Sequence, residues 1–182
     1  MRTPCLVRNS YPAAGFTLIE LCVVVSIAAI LAMIAVPNFQ SMLNRQRIAT
    51  VSNDLFASVA YTRAEAIRRG TRVDLLPLDP ADWAKGWKIS VPPAAAGGAP
   101  GAPEIVYQYP PALRGVAITA LFAPDPTDAA LSYDGTGRTR MRTNSALSRT
   151  ATWNIVLSQE SRKLAVNALG RPSLCDPAQP PC

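Results

Sequence analysis

Histidine is absent from the 182 residues. That excludes a Ser-His-Asp triad, a Cys-His nucleophile pair and any histidine-ligated metal. Cysteine is scarce: Cys5 lies in a basic leader, Cys22 in an apolar block, and Cys175 and Cys182 near the C-terminus. Two cysteines cannot form a structural zinc site alone, but in an oxidising compartment Cys175 and Cys182 could close a short disulfide loop. No glycine-rich phosphate loop of the GxGxxG or Walker kind is present. The acids are few, 12 against 18 Lys and Arg, and scattered. They offer no clustered pair for general acid–base work. No cofactor and no metal is expected, and a membrane-anchored enzyme is the least favoured function class.

Charge is missing where it is most informative. No acid precedes Glu20, and residues 21–44 carry no charge at all. As a helix that stretch would span roughly 36 Å, against a hydrocarbon core of about 30 Å. It reads as a membrane anchor whose basic leader, with Arg2 and Arg8, stays on the cytoplasmic side. The apolar run follows the small residue at the apparent cleavage point instead of preceding it, so this is not an ordinary secretory signal. Glu20 is the anomaly. A carboxylate in hydrocarbon costs about 2.5–3.5 kcal/mol even on lenient insertion scales, so a compensating partner is expected.

The stretch "GFTLIEL" at 15–21 resembles the prepilin cleavage and assembly motif of type IV pilins and type II secretion pseudopilins. The resemblance implies that a prepilin peptidase cuts after Gly15 and that Phe16 becomes the N-methylated mature N-terminus. It also implies that Glu20 pairs with the N-terminal amine of a neighbouring subunit during filament assembly. Such a pair is physically sensible, since two buried opposite charges are stable only when each has the other. Pro37 would kink or locally open the helix, and the resemblance places that opening at assembly.

Beyond position 44 the pattern turns amphipathic. Ile48, Val51, Leu55, Val59 and Ala66 recur at helical spacing, with polar residues between them and Gly70 as a stop. After Gly70, short runs such as "TRVDLLPL", "GWKISV", "EIVYQY", "VAITAL", "TRMRT", "TWNIVLS" and "KLAVNA" read as strands. Residues 92–103 read as a Pro/Gly/Ala loop, and "SYDGTGRT" and "SQESRK" as hairpin turns. The expected fold class is α+β. A long N-terminal helix, membrane-spanning in its first half, packs on a C-terminal antiparallel head of one or two small sheets. The expected organisation is a leader over 1–15, a membrane or filament-core helix over 16–44, an amphipathic helix over 45–69 and a β-rich head over 70–182. Trp83, Gly86 and Trp87 resemble the W-x-x-G-W element of the GspH/FimT branch of pseudopilins and minor pilins, although two core tryptophans beside a turn would look the same.

Net charge is +6, and +4 without Arg2 and Arg8. Residues 138–171 carry the excess, with seven basic side chains against Glu160. If "GRTRMR" is a strand, Arg138, Arg140 and Arg142 share a face. Such a row suits the phosphates of double-stranded DNA. It suits equally an edge strand protected by charge, or acids on a neighbouring pilin. FimT-type minor pilins are associated with DNA capture through a C-terminal G-R-x-R element. Here Gly170 and Arg171 match it and Ser173 replaces the second arginine. The resemblance therefore implies a minor pilin or pseudopilin in the bacterial inner membrane with its head in the periplasm. Its expected partners are other pilins, prepilin peptidase and inner-membrane lipid; double-stranded DNA is a candidate partner, through Arg171 by the resemblance and through Arg138, Arg140 and Arg142 by the shared strand face. The alternative is a type II secretion pseudopilin with no DNA role.

Overall fold

The computed structural model describes residues 15, 17–93 and 101–179, without the side chains of 34 and 36–38. Residues 1–14 of the expected leader, Phe16 and Cys182 lie outside the described residues, as does the side chain of Pro37. The chain divides into two compact units, Met1–Ser41 and Met42–Cys182. One helix, α1 (Leu18–Arg69), contributes to both.

In the second unit, α1 buries the stripe expected from its spacing. Ile48, Leu55, Val59 and Ala66 are wholly buried and Val51 nearly so. Burying aliphatic side chains of this size stabilises by about 1.5–3 kcal/mol each. Ser52, Ser58 and Thr62 share that face. Each hydroxyl donates to the carbonyl four residues earlier, which satisfies it without an outside partner.

Among the described residues, nine strands follow in two antiparallel sheets. The first has the order β3 (Glu104–Gln108), β2 (Asp82–Val91), β1 (Val73–Asp79), β5 (Leu131–Tyr133) and β6 (Thr139–Arg140). The second has the order β4 (Ala117–Ala123), β7 (Thr150–Leu157), β8 (Glu160–Val166) and β9 (Pro172–Cys175). Alternation along β7 buries Ala151, Trp153, Ile155 and Leu157 on one face. Trp153 meets Trp83 at 5.3 Å and Phe122 at 5.5 Å, both edge-on, so three rings join β2, β4 and β7.

Trp83 and Trp87 are both core residues on β2. Trp83 belongs to the three-ring cluster, while the Trp87 indole donates to Ser58 Oγ on α1 at 2.8 Å. One strand expectation needs correction, and one strand was not expected. "TRMRT" forms only the two-residue β6, because the chain bends away after Arg140. "PSLC", in a segment rich in turn formers, is paired as β9 along β8.

Candidate pilin-assembly and nucleic-acid contact residues

The first unit presents an N-terminal cap. Thr17 precedes α1 and accepts the Glu20 amide on its hydroxyl oxygen at 3.3 Å, while its carbonyl accepts the Leu21 amide at 3.2 Å. Thr17 is thus the helix cap and Glu20 the third helical residue, the spacing of a capping box. A carboxylate there is also favoured by the helix dipole. The T-x-x-E pattern ahead of an apolar run was available in the sequence, and Thr17 is the residue that motif-matching passed over.

Behind the cap the apolar side chains are exposed. Val23, Val24 and Val25 are successive and all exposed, so apolar surface runs right round the helix. Among the described residues no helix is long and apolar enough to cross a membrane. Gly15 is exposed.

In the second unit the basic row is broken up by acids that the chain folds back onto it. Arg140 Nε pairs with Asp134 at 2.9 Å. Arg142 pairs with Asp128 at 3.0 Å, and Arg149 approaches the same carboxylate at 3.0 Å. Arg162 pairs with Asp176 at 2.6 Å. Glu160 is taken by Arg45 on α1 at 2.8 Å. Arg149 is fully buried, lies 4.8 Å from the centre of the Phe122 ring and donates to the carbonyls of Asp125 and Asp128. It staples an inner loop and offers nothing to solvent. Burial lowers its pKa against the opposing pull of Asp128 and Asp125. Burial alternates along 138–142, with Thr139 and Met141 buried and the three arginines on the open side, but the second and third guanidiniums are engaged by acids of the same chain. Counting charges over 138–171 missed this because Asp128, Asp134 and Asp176 lie outside that window.

Arg138 and Arg171 behave differently. Both are exposed, and neither side chain has a partner among the described residues. Each closes a turn of the same construction. In 134–138 the Asp134 carboxylate accepts the amides of Thr136 and Arg138, and Gly137 donates to the Asp134 carbonyl. In 167–171 the Asn167 side-chain oxygen accepts the amides of Leu169 and Arg171, and Gly170 donates to the Asn167 carbonyl. Gly137 and Gly170 have φ of 74° and 77°, a region that suits glycine. The two turns come from different sheets and touch. A Cβ on Gly170 would collide with the Gly137 carbonyl oxygen and lie 2.7 Å from the Tyr133 ring. The Tyr133 hydroxyl donates to the Gly170 carbonyl at 3.1 Å, and Arg63 Nε on α1 donates to the Gly137 carbonyl at 3.0 Å. Burial pushes the Asp134 carboxyl up, but hydrogen bonds from Thr136, Arg140 and the turn amides prevail and hold it at about 2. Two Gly-Arg dipeptides distant in sequence thus meet through their glycines. That repeat of Asp/Asn-x-x-Gly-Arg was written in the chain but was not recognised as one. Cys175 ends β9; its expected partner Cys182 lies outside the described residues. Ser173 donates to the Ala165 carbonyl at 3.3 Å, within the β8–β9 pair.

The arrangement can present a capped apolar helix for association and a pair of exposed guanidiniums for anions. Among the described residues no group of side chains could hold a metal ion. Comparison with known proteins agrees with the structural-subunit reading. Residues 12–36 match the prokaryotic N-terminal methylation motif. The fold resembles the Pseudomonas aeruginosa type IV minor pilin FimU in two crystal forms. In one the TM-score is 0.54 at 22% identity, covering 74% of this chain and 92% of that one; in the other it is 0.52 at 19%, covering 72% and 94%. The minor pseudopilin EpsH of the Vibrio cholerae type 2 secretion system aligns at a TM-score of 0.49 and 13% identity, covering 73% and 99%. No curated protein matches the chain. The family and fold are those of structural pilin and pseudopilin subunits, not enzymes. Residues 51–170, more than half of the sequence, match the model for type II transport protein GspH, and the chain belongs to that family.

Proposed function

We propose that the chain is a minor subunit of a type IV pilus or type II secretion pseudopilus, held in the bacterial inner membrane with its head in the periplasm. Prepilin peptidase cuts after Gly15, Phe16 becomes the methylated N-terminus, and α1 passes from lipid into the filament. The observation that carries this reading is the exposed apolar surface around α1 immediately behind Thr17 and Glu20. Apolar surface of that extent is stable only against lipid or other helices. Glu20 then finds its counter-charge in the amine of a neighbouring subunit, which repays its removal from water. Changing Glu20 to Ala leaves insertion and cleavage intact and strongly reduces recovery in sheared filaments. Full recovery of that variant would defeat the pairing argument.

Within this reading, Arg138 and Arg171 are the proposed contacts to double-stranded DNA. The meeting of their turns supports it, because each turn carries an exposed arginine whose side chain has no partner among the described residues. Arg140 and Arg142 drop out as contacts. Titration of the Met42–Cys182 unit with duplex DNA across a salt series tests this. Replacing Arg138 and Arg171 by Ala lowers the salt slope by about 2 if each meets one phosphate, while replacing Arg140 and Arg142 leaves it unchanged. Equal effects of the two pairs, or no binding at low salt, leaves the secretion pseudopilin as the better reading.

A further inference from the structure

Where the two Gly-Arg turns meet, α1 brings a third guanidinium. Arg63 Nε donates to the Gly137 carbonyl, the same oxygen that a Cβ on Gly170 would strike. A Cβ on Gly137 would itself lie 3.1 Å from that nitrogen. Ile67, one helical turn further along α1, brings its tip to the same glycine. Arg63 is therefore seated on the backbone of the first turn at the point where the second touches it. Burial pushes the Tyr133 phenol up and the Arg63 charge opposes it. Arg63 thus stands within electrostatic reach of the hydroxyl that holds Gly170.

Among the described residues no acid neutralises Arg63. Its bond to Gly137 uses Nε alone; the two terminal nitrogens make no hydrogen bond, and neither is buried. The residues three and four places away on α1 are Val59, Ala60, Ala66 and Ile67, none of them acidic. Glu65 is held by Arg68 and Arg69. Asp134, in the first turn itself, is spent on Arg140 and the turn amides. Arg63, Arg138 and Arg171 thus reach one joint from three separate elements without a carboxylate for any of them. A guanidinium gripped through Nε keeps its far edge, two parallel N–H groups, for an oxyanion, and that edge fits two oxygens of a phosphate. The grip also leaves less rotamer freedom to be lost on binding.

We propose that Arg63 is a third phosphate contact of the duplex-DNA site at the two turns, and the one that α1 fixes in place. The inference rests on the nucleic-acid reading of Arg138 and Arg171. It adds a residue 74 positions before Gly137, on an element that no Gly-Arg pattern marks. Arg114 supplies the contrast. It too is exposed and has no partner among the described residues. Its neighbour Gly115 packs on Leu157, at the opposite end of β8 from the 167–171 turn. A strand of that length separates the two by about 20 Å, so Arg114 carries the same charge away from the joint.

The test uses the full chain in phosphatidylcholine nanodiscs. Arginines are modified with phenylglyoxal, with and without duplex DNA, and the modified peptides are read by mass spectrometry. Duplex is expected to slow modification of Arg63, Arg138 and Arg171 severalfold and to leave Arg114 unchanged. Duplex titration across a salt series gives the second readout. Arg63→Gln lowers the salt slope by about 0.9, the share of one phosphate. Arg63→Lys keeps the charge and the slope, and Arg114→Gln leaves the slope unchanged. If Arg63 only braced the turns, its Gln and Lys variants would change the slope alike, which overturns the proposal. So does an Arg63 that is unreactive without DNA, an Arg114 protected as strongly as Arg63, or protection of Arg63 by phosphatidylglycerol nanodiscs alone. Protection of Arg138 and Arg171 without Arg63 removes this inference and leaves the nucleic-acid reading standing. No duplex binding at low salt defeats both.

Discussion

Changing Gly170 to Ala tests the meeting of the two Gly-Arg turns, and Gly137→Ala supplies the control. Both glycines have φ near 75°, so alanine bears a similar backbone cost of about 1–2 kcal/mol at either place. A lower unfolded-state entropy returns about 0.4–1 kcal/mol in both variants. What differs is the obstacle. At Gly137 the new methyl meets the tip of Ile67 at 2.6 Å, a flexible side chain that is half exposed and can swing aside. At Gly170 it meets the Gly137 carbonyl and the ring of Tyr133, which is wholly buried. Neither can retreat without parting the turns, and overpacking of this kind costs about 1–3 kcal/mol. Gly137→Ala is therefore expected to destabilise by about 1 kcal/mol and Gly170→Ala by about 3 kcal/mol. In thermal unfolding of the Met42–Cys182 unit followed by circular dichroism, these correspond to losses of roughly 4 °C and 10 °C. Equal shifts in the two variants would refute the close approach.

Three other outcomes follow from the same geometry. Hydrogen bonds from Arg68 and Arg69 hold the nearly buried Glu65 carboxyl down at about 2, and Asp134 is also near 2. Groups lowered on folding contribute fully above their unfolded pKa and lose that contribution as pH falls. Urea midpoints should therefore drop between about pH 4.5 and pH 2, and Glu65→Gln should shrink the drop by on the order of 1–2 kcal/mol after screening of the exposed Arg68. Asp74, raised by burial, acts in the opposite sense, so the Glu65 variant identifies the source. Trp87→Phe removes the bond to Ser58 while keeping most of the ring, and equilibrium unfolding should show a loss of about 1–2 kcal/mol. A non-reducing peptide map of the protein isolated from its native cell should join the peptides of Cys175 and Cys182 and leave Cys22 alkylatable; a free Cys175 would remove the proposed disulfide.

The sequence by itself determined the elements whose signals are local. Helical spacing of Ile48, Val51, Leu55, Val59 and Ala66 named the buried face of α1, because periodicity and burial are the same fact seen twice. "GFTLIEL" lies within the matched methylation motif and needed no fold to be read, because its residues are contiguous. Charge fared worse. Guanidiniums act over several ångströms in space, and Asp128, Asp134 and Asp176 reach Arg142, Arg140 and Arg162 only once the sheets form. Tertiary structure alone decided that Arg149 is buried, that the Arg138 and Arg171 side chains find no partner among the described residues and that their turns touch. It also decided that, among the described residues, β3 pairs on one side only, because strand neighbours are set by sheet order and no residue's own preference encodes them.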